Sequence, residues 1–194
     1  MGLRGIPETQ IIFEDLEILE EMALIPPEGL KRGFAGLMNA YNGQRVGAGT
    51  VAMGIAAGAY ELALEFSTER NQFGRPICEF QGLQWMLADM HIQIEAARLL
   101  LRKAAAGNSE SSGGGKGFPD MLEAAQAKIF ASEMAIKVTN DALQIFGSSG
   151  YSRKIPAGTN GKRRTYVHYR WWNCTDFKNG RGFCSTGKEI AADS

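Results

Sequence analysis

Phe80, Leu83, Leu87, Met90, Ile94, Ala97 and Leu101 recur at alternating spacings of three and four residues, unbroken from about Glu79 to Ala106. That rhythm keeps the apolar side chains on one stripe of an α-helix, which turns once in about 3.6 residues. A stripe of this kind must be covered by other helices. Two further segments share the pattern. From about Gly33 to Arg70 the stripe is Ala52, Ala56, Ala59, Ala63 and Phe66, and its small residues predict close approach to a neighbour. From Pro119 to Phe146 it is Leu122, Ala125, Ile129, Ile136, Leu143 and Phe146, with Ser132 and Thr139 in the two remaining places. One mostly apolar stripe per long helix predicts a mainly α chain built as an up-and-down helical bundle. Three stripes leave that bundle one member short.

At 194 residues the length suits one domain. Residues 9–18, TQIIFEDLEI, carry a strand signal, set between Pro7 and the Pro26-Pro27 pair. A single strand cannot make a sheet, so 1–30 are expected to be the remnant of a β domain. The bundle is expected over 31–155 and an irregular tail over 156–194. NSESSGGGKG, residues 108–117, has the composition of a flexible connector.

Lysine plus arginine and aspartate plus glutamate each number 21, but the tail from Ala157 holds seven bases against three acids. A basic tail raises the question of nucleic acid, yet these bases lack the spacing that would gather them on one helical face. No nucleic-acid partner is expected. Cys78, Cys174 and Cys184 show no CxxC spacing, and His91 and His168 are the only histidines, so no metal site is expected. Uninterrupted apolar runs fall short of a membrane span, and the N-terminus lacks a basic-then-apolar leader. A cytoplasmic protein without membrane association is the expectation.

Three segments stand out chemically, each with a plain structural reading. EFSTERNQFGRPICEFQGLQWM, residues 65–86, reads as a helix stop, with Gly74 as C-cap, Pro76 blocking continuation and Phe80 restarting the next stripe. DALQIFGSSGY, residues 141–151, reads as a helix end with a cap from Gly147 to Gly150. YNGQRVGAG, residues 41–49, reads as Asn42 capping a helix with Gln44 and Arg45 solvated. His91 and the Trp85, Met86 and Met90 of QWMLADM read as packing residues.

The same segments resemble the acyl-CoA dehydrogenase family. The first is similar to its ERxxFGxPIxxFQ signature and the second to QxFGGxGY, with Ser148 where the family usually has a second glycine. The resemblance implies FAD as cofactor, held by Arg70, Gln72, Phe73 and Gln81 and by Gln144, Ile145, Phe146, Gly147 and Ser148. Arginine suits such a role because its guanidinium makes charge-assisted, often bidentate bonds to a pyrophosphate. The third segment corresponds to the stretch whose Asp and Arg contact coenzyme A, implying Asn42 and Arg45 as substrate-binding residues for an acyl-CoA thioester. A homo-oligomer, dimer or tetramer, is implied as well.

In some subfamilies the residue before that Arg is the catalytic Glu. Here it is Gln44, whose amide is not a usable base. The other seat of the base lies in the family's final helix. Trp171-Trp172 fixes the codons TGGTGG, which one base along read Gly-Gly. With permitted codons, Thr165 to Phe177 becomes RMFTIGGGTAQIL, Ala157 to Gly161 LERMA, and Phe177 to Lys188 LRTVVASAALGK. These strings resemble the final family helix, so 156–194 are read as out of frame, with glycine at the second seat. Two empty seats and the 1–153 likeness point to the branch of 3-sulfinopropionyl-CoA desulfinases, which release sulfite to give propionyl-CoA with FAD bound and no net oxidation. As a fragment, the chain by itself is expected to turn over substrate negligibly. The alternatives are an ordinary acyl-CoA dehydrogenase passing electrons to an electron-transfer flavoprotein, and a non-catalytic helical oligomerisation module.

Overall fold

The computed structural model describes residues 9–25, 29, 33–107 and 117–151. Its elements are α1 (Gly33–Glu69), a two-stranded hairpin of β1 (Asn71–Gln72) and β2 (Arg75–Pro76), α2 (Gln81–Ala106) and α3 (Met121–Phe146). Short 3-10 turns occupy Glu20–Met22, Ile77–Glu79 and Gly147–Tyr151.

Each helix starts and stops for a local reason. Asp120 caps α3, its carboxylate accepting from the backbone N–H of Leu122 and Glu123. Gly107 ends α2, its N–H donating to the carbonyl of Lys103. α1 contains seven glycines and still runs 37 residues. Each interior glycine costs about 1 kcal/mol relative to alanine, so packing rather than propensity holds α1 together.

The side-chain meetings fix the directions of the helices. Asn42 meets Pro119 and Phe66 meets Phe146, so α1 and α3 run parallel. Tyr60 meets His91, and Lys103 of α2 pairs with Glu123 of α3, so α2 runs antiparallel to both. The up-and-down arrangement is therefore realised over three helices. At the centre, a Cβ on Gly49 would lie 2.8 Å from Leu101 Cδ2 and 3.4 Å from Lys128 Cα. Gly49 therefore packs against both other helices, and an added methyl would press on the Leu101 side chain.

Alanine dominates the seam, with Ala52, Ala56, Ala59 and Ala63 of α1 facing a partner whose buried residues include Ala127, Ala131, Ala135 and Ala142. Ser67, Ser132 and Thr139 are buried, and their hydroxyls donate to the carbonyls of Leu64, Lys128 and Ala135. Among the described residues no buried side-chain polar atom lacks a partner, as a stable interior requires. By length and composition Gly36–Glu69 could cross a membrane, but its alanine stripe is covered by α2 and α3.

Several expectations are corrected. Residues 9–18 form no strand, and Ile11, Ile12 and Phe13 are exposed. A strand needs a neighbour for its ladder, and none lies beside it among the described residues. The expected α3 stripe is displaced: Leu122 is exposed and Ala125, Ile129, Ile136 and Leu143 are half-buried. The buried face is rich in alanine (Ala124, Ala127, Ala131, Ala135 and Ala142) but also holds Met134, Val138 and Ile145, so it is rotated from the expected stripe rather than restricted to small residues. Ser132, Thr139 and Phe146 lie on the buried face as expected. Trp85 is exposed, whereas Met90 is fully buried. The connector over 108–116, Pro7, Pro26-Pro27, Cys174, Cys184, His168 and the tail from 156 lie outside the described residues.

Candidate functional site

One end of the bundle gathers two of the three chemical segments. α1 ends at Glu69 rather than running on to a Gly74 cap, because the chain turns back as a hairpin with Asn71 opposite Pro76 and Gln72 opposite Arg75. The two-residue turn has positive φ at both positions, 52° at Phe73 and 79° at Gly74, the type I′ geometry that suits the twist of the strands. An aromatic residue rarely takes that conformation, and here it places Phe73 94% exposed at the tip. Its ring meets Phe80 edge-on with centroids 6.2 Å apart, while the Arg75 guanidinium lies 4.3 Å over Phe80. Arg75 is thus engaged internally. Arg70 is exposed and forms no ion pair among the described residues. The side-chain amide of Gln72 donates to the Asn71 carbonyl, and Gln81 is exposed in the first turn of α2.

The C-terminal end of α3 lies beside this hairpin, with the Phe66 and Phe146 rings 4.6 Å apart. Gly147 closes the helix at φ 56°, its N–H donating to the Gln144 carbonyl. Gly150 is buried, and a Cβ there would sit 2.9 Å from the Leu143 carbonyl oxygen. Only glycine fits that turn. Gln144 and Ser148 are exposed, but the side chains of Ile145 and Phe146 belong to the core. These two present only their backbone at this end of the bundle.

The third segment lies elsewhere. Asn42 sits in the third turn of α1 and caps nothing; it is completely buried. Its carbonyl oxygen accepts from Arg45 Nη1 at 2.6 Å and its amide donates to the Pro119 carbonyl at 3.2 Å. Arg45 is half-buried, and burial lowers its pKa from the ordinary value. Gln44 is exposed beside it. At about 1.5 Å per residue, Arg45 and Arg70 stand roughly 37 Å apart along α1.

The chemistry of the two ends follows. The same end of the bundle carries Arg70, the three carboxamides Gln72, Gln81 and Gln144, and two glycines, Gly74 and Gly147, beside which an added Cβ would meet nothing within 4 Å. A cation, amide donors and backbone unshielded by side chains fit a pyrophosphate-bearing dinucleotide such as FAD. Around Arg45 the donors suit an anionic or amide-bearing ligand, and Gln44 supplies no base. Among the described residues no three of His, Cys, Asp and Glu gather into a metal-binding group. Sequence reasoning missed Arg75 over Phe80 and the Pro119 carbonyl as partner of Asn42. The paired Arg75 and Phe80 of the signature could have suggested the first; a contact 77 positions apart leaves no local signal for the second.

Comparisons with known proteins place the chain. The family model described as acyl-CoA dehydrogenase, C-terminal domain, matches residues 31–173. A 3-sulfinopropanoyl-CoA desulfinase of Cupriavidus necator is 64% identical over 156 residues, 80% of this chain and 38% of the relative. The cyclohex-1-ene-1-carbonyl-CoA dehydrogenase of Syntrophus aciditrophicus is 45% identical over 79% of this chain and 35% of its own length. Butyryl-CoA dehydrogenase from Megasphaera elsdenii superposes with a TM-score of 0.68 at 40% identity, over 76% of this chain and 37% of that one. The chain therefore spans under two-fifths of the length of the curated relatives it matches. A family match over residues 31–173, most of the chain, settles its parentage: it belongs to the acyl-CoA dehydrogenase family.

Proposed function

We propose that this chain supplies the helical part of an FAD-dependent enzyme of the 3-sulfinopropionyl-CoA desulfinase type. The observation that carries the reading is Gln44 in the seat of a general base, exposed beside Arg45. A dehydrogenation must remove an α-proton from the thioester, and an amide cannot take it. Desulfination has no such requirement. The C–S bond breaks, the carbon gains a proton, and water supplies the oxygen and second proton that convert the departing sulfinate sulfur to hydrogensulfite, leaving propionyl-CoA. The 64% identity to a desulfinase, against 45% to a dehydrogenase, supports the same reading.

The roles divide along α1. Arg70, Gln72, Phe73 and Gln81, with Gln144 and the backbone of Ile145 to Ser148, would hold the dinucleotide end of FAD. When bound, the flavin supplies the family's redox chemistry, which this reaction leaves without net change. Arg45 would hold the coenzyme A moiety of the substrate. Trp85, Ile92 and Leu99, exposed at seven-residue spacing on α2, support a homo-oligomer.

The test is separable binding by the 194-residue chain. FAD and coenzyme A should each bind; Arg70→Ala should weaken FAD alone and Arg45→Gln coenzyme A alone. Neither ligand binding, or both variants binding like the parent, overturns the proposal.

A further inference from the structure

α2 buries one stripe and leaves a second uncovered. Trp85, Ile92 and Leu99 are 65%, 63% and 63% exposed, on the side of the helix opposite Met90, Ile94 and Leu101, which the core encloses. Three large apolar side chains seven residues apart form the kind of seam that one helix presents to another.

The seam reads alike in both chain directions from its midpoint. Ile92 stands at the centre, Ala88 and Ala96 lie four residues to either side, and Trp85 and Leu99 lie seven residues to either side. The two alanines leave room for a close crossing at Ile92. A surface that matches itself when reversed suits a twofold axis, on which the same patch serves both partners. Charge favours the same arrangement. The bases of α2, Arg98, Arg102 and Lys103, all follow Ile92, and the acid that precedes it is Asp89. Glu95 also follows Ile92 but is paired with Arg98 of its own helix, so that half stays net positive. Antiparallel copies set each negative half against a positive one, whereas parallel copies would set positive against positive.

We infer that two copies of this chain pack α2 against α2, antiparallel about a twofold axis at Ile92, with Trp85 of one copy against Leu99 of the other. This deepens the homo-oligomer reading and requires neither flavin nor acyl-CoA. The exposed parts of the three side chains amount to on the order of 400 Å² per copy, about half of a standard interface. The pair should therefore dissociate on dilution.

The experiment is sedimentation of the full chain over a concentration series, beside Ile92→Lys, with helicity checked for each. Ile92→Lys brings two like charges together at the axis and should weaken self-association by at least about a hundredfold. Cysteine cross-linking reads the register, with Cys78, Cys174 and Cys184 replaced by serine. Under mild oxidation Ile92→Cys should link to itself, and Trp85→Cys should link to Leu99→Cys in a mixture but not to itself. In the antiparallel pair the two Trp85→Cys positions stand roughly 21 Å apart along the helices, beyond the ~7 Å that a disulfide spans between Cα atoms. A chain that stays monomeric at every concentration overturns the homo-oligomer reading and this inference with it. An oligomer that persists in Ile92→Lys, fails to link through Ile92→Cys, or links Trp85→Cys to itself overturns this inference alone.

Discussion

Gly49 and the other α1 glycines offer a sharp test of the packing. At Gly47, Gly54 and Gly58 an added Cβ meets nothing within 4 Å. Alanine there should stabilise by about 0.5–1 kcal/mol, the difference in helix propensity. Gly49→Ala gains the same increment, but its methyl arrives 2.8 Å from Leu101 Cδ2 and 3.4 Å from the Lys128 backbone. Leu101 is buried and Lys128 Cα cannot rotate away, so the overpacking cost of about 1–3 kcal/mol should exceed the gain. The net expectation is destabilisation of roughly 0.5–2 kcal/mol for Gly49→Ala, with the sign reversed at Gly54, by combining those two terms. Urea unfolding of the full chain followed by helical circular dichroism measures both. A double-mutant cycle adds a second reading. Leu101→Ala alone should cost about 2–5 kcal/mol, and Gly49→Ala should become favourable in that background because the methyl fills vacated space. Gly49→Ala as stable as Gly54→Ala, or a cycle without coupling, would refute the claim that three helices converge at Gly49.

Asp120→Ala removes the acceptor for two backbone N–H groups at the start of α3. It should cost about 1 kcal/mol in urea unfolding. Gly74→Ala places a Cβ on a residue held at φ 79° and should cost about 1–2 kcal/mol, read in the same assay; no loss would mean that the type I′ turn does not form. Burial lowers the Arg45 pKa, so the folded chain holds that proton less tightly than the unfolded chain. Its unfavourable contribution is fully present at neutral pH, and stability recovers only in the strongly alkaline window below the ordinary arginine value. Arg45→Met removes that cost but leaves the buried Asn42 Oδ1 without its donor, so it should be about 1–3 kcal/mol less stable than the parent at neutral pH, measured by thermal melting, and should weaken coenzyme A binding.

The helices were legible because their periodicity is local: α1, α2 and α3 begin and end within about two residues of expectation. The face that α3 buries was not, because side-chain size was taken as a guide to burial. Against the seam of Gly49 and four alanines of α1, α3 turns an alanine-rich face that also carries Met134 and Val138, and Ile129 and Ile136 sit at its flank. The strand expected at 9–18 failed for a related reason: strand pairing is non-local, and β propensity says nothing about an available partner. Gly74 and Pro76 suit a helix stop and a hairpin equally, and only the paired backbone distinguishes them. By composition the segments at 65–86 and 141–151 read only as helix ends, their link to FAD coming from the resemblance to family signatures, and neither showed that Ile145 and Phe146 point inward. Asn42 was read as a cap from its residue type alone, although the helical pattern already began near Gly33; its real partner, the Pro119 carbonyl, lies 77 positions away.

α1 joins the two ends proposed to bind ligands as one uninterrupted helix from Gly33 to Glu69. A single residue inserted between Arg45 and Arg70 would swing one end by about 100° and shift it by about 1.5 Å. Either the alanine seam or one ligand contact would then lose its register. Point substitutions on the solvent side of this rod should be well tolerated, whereas changes in its length should not.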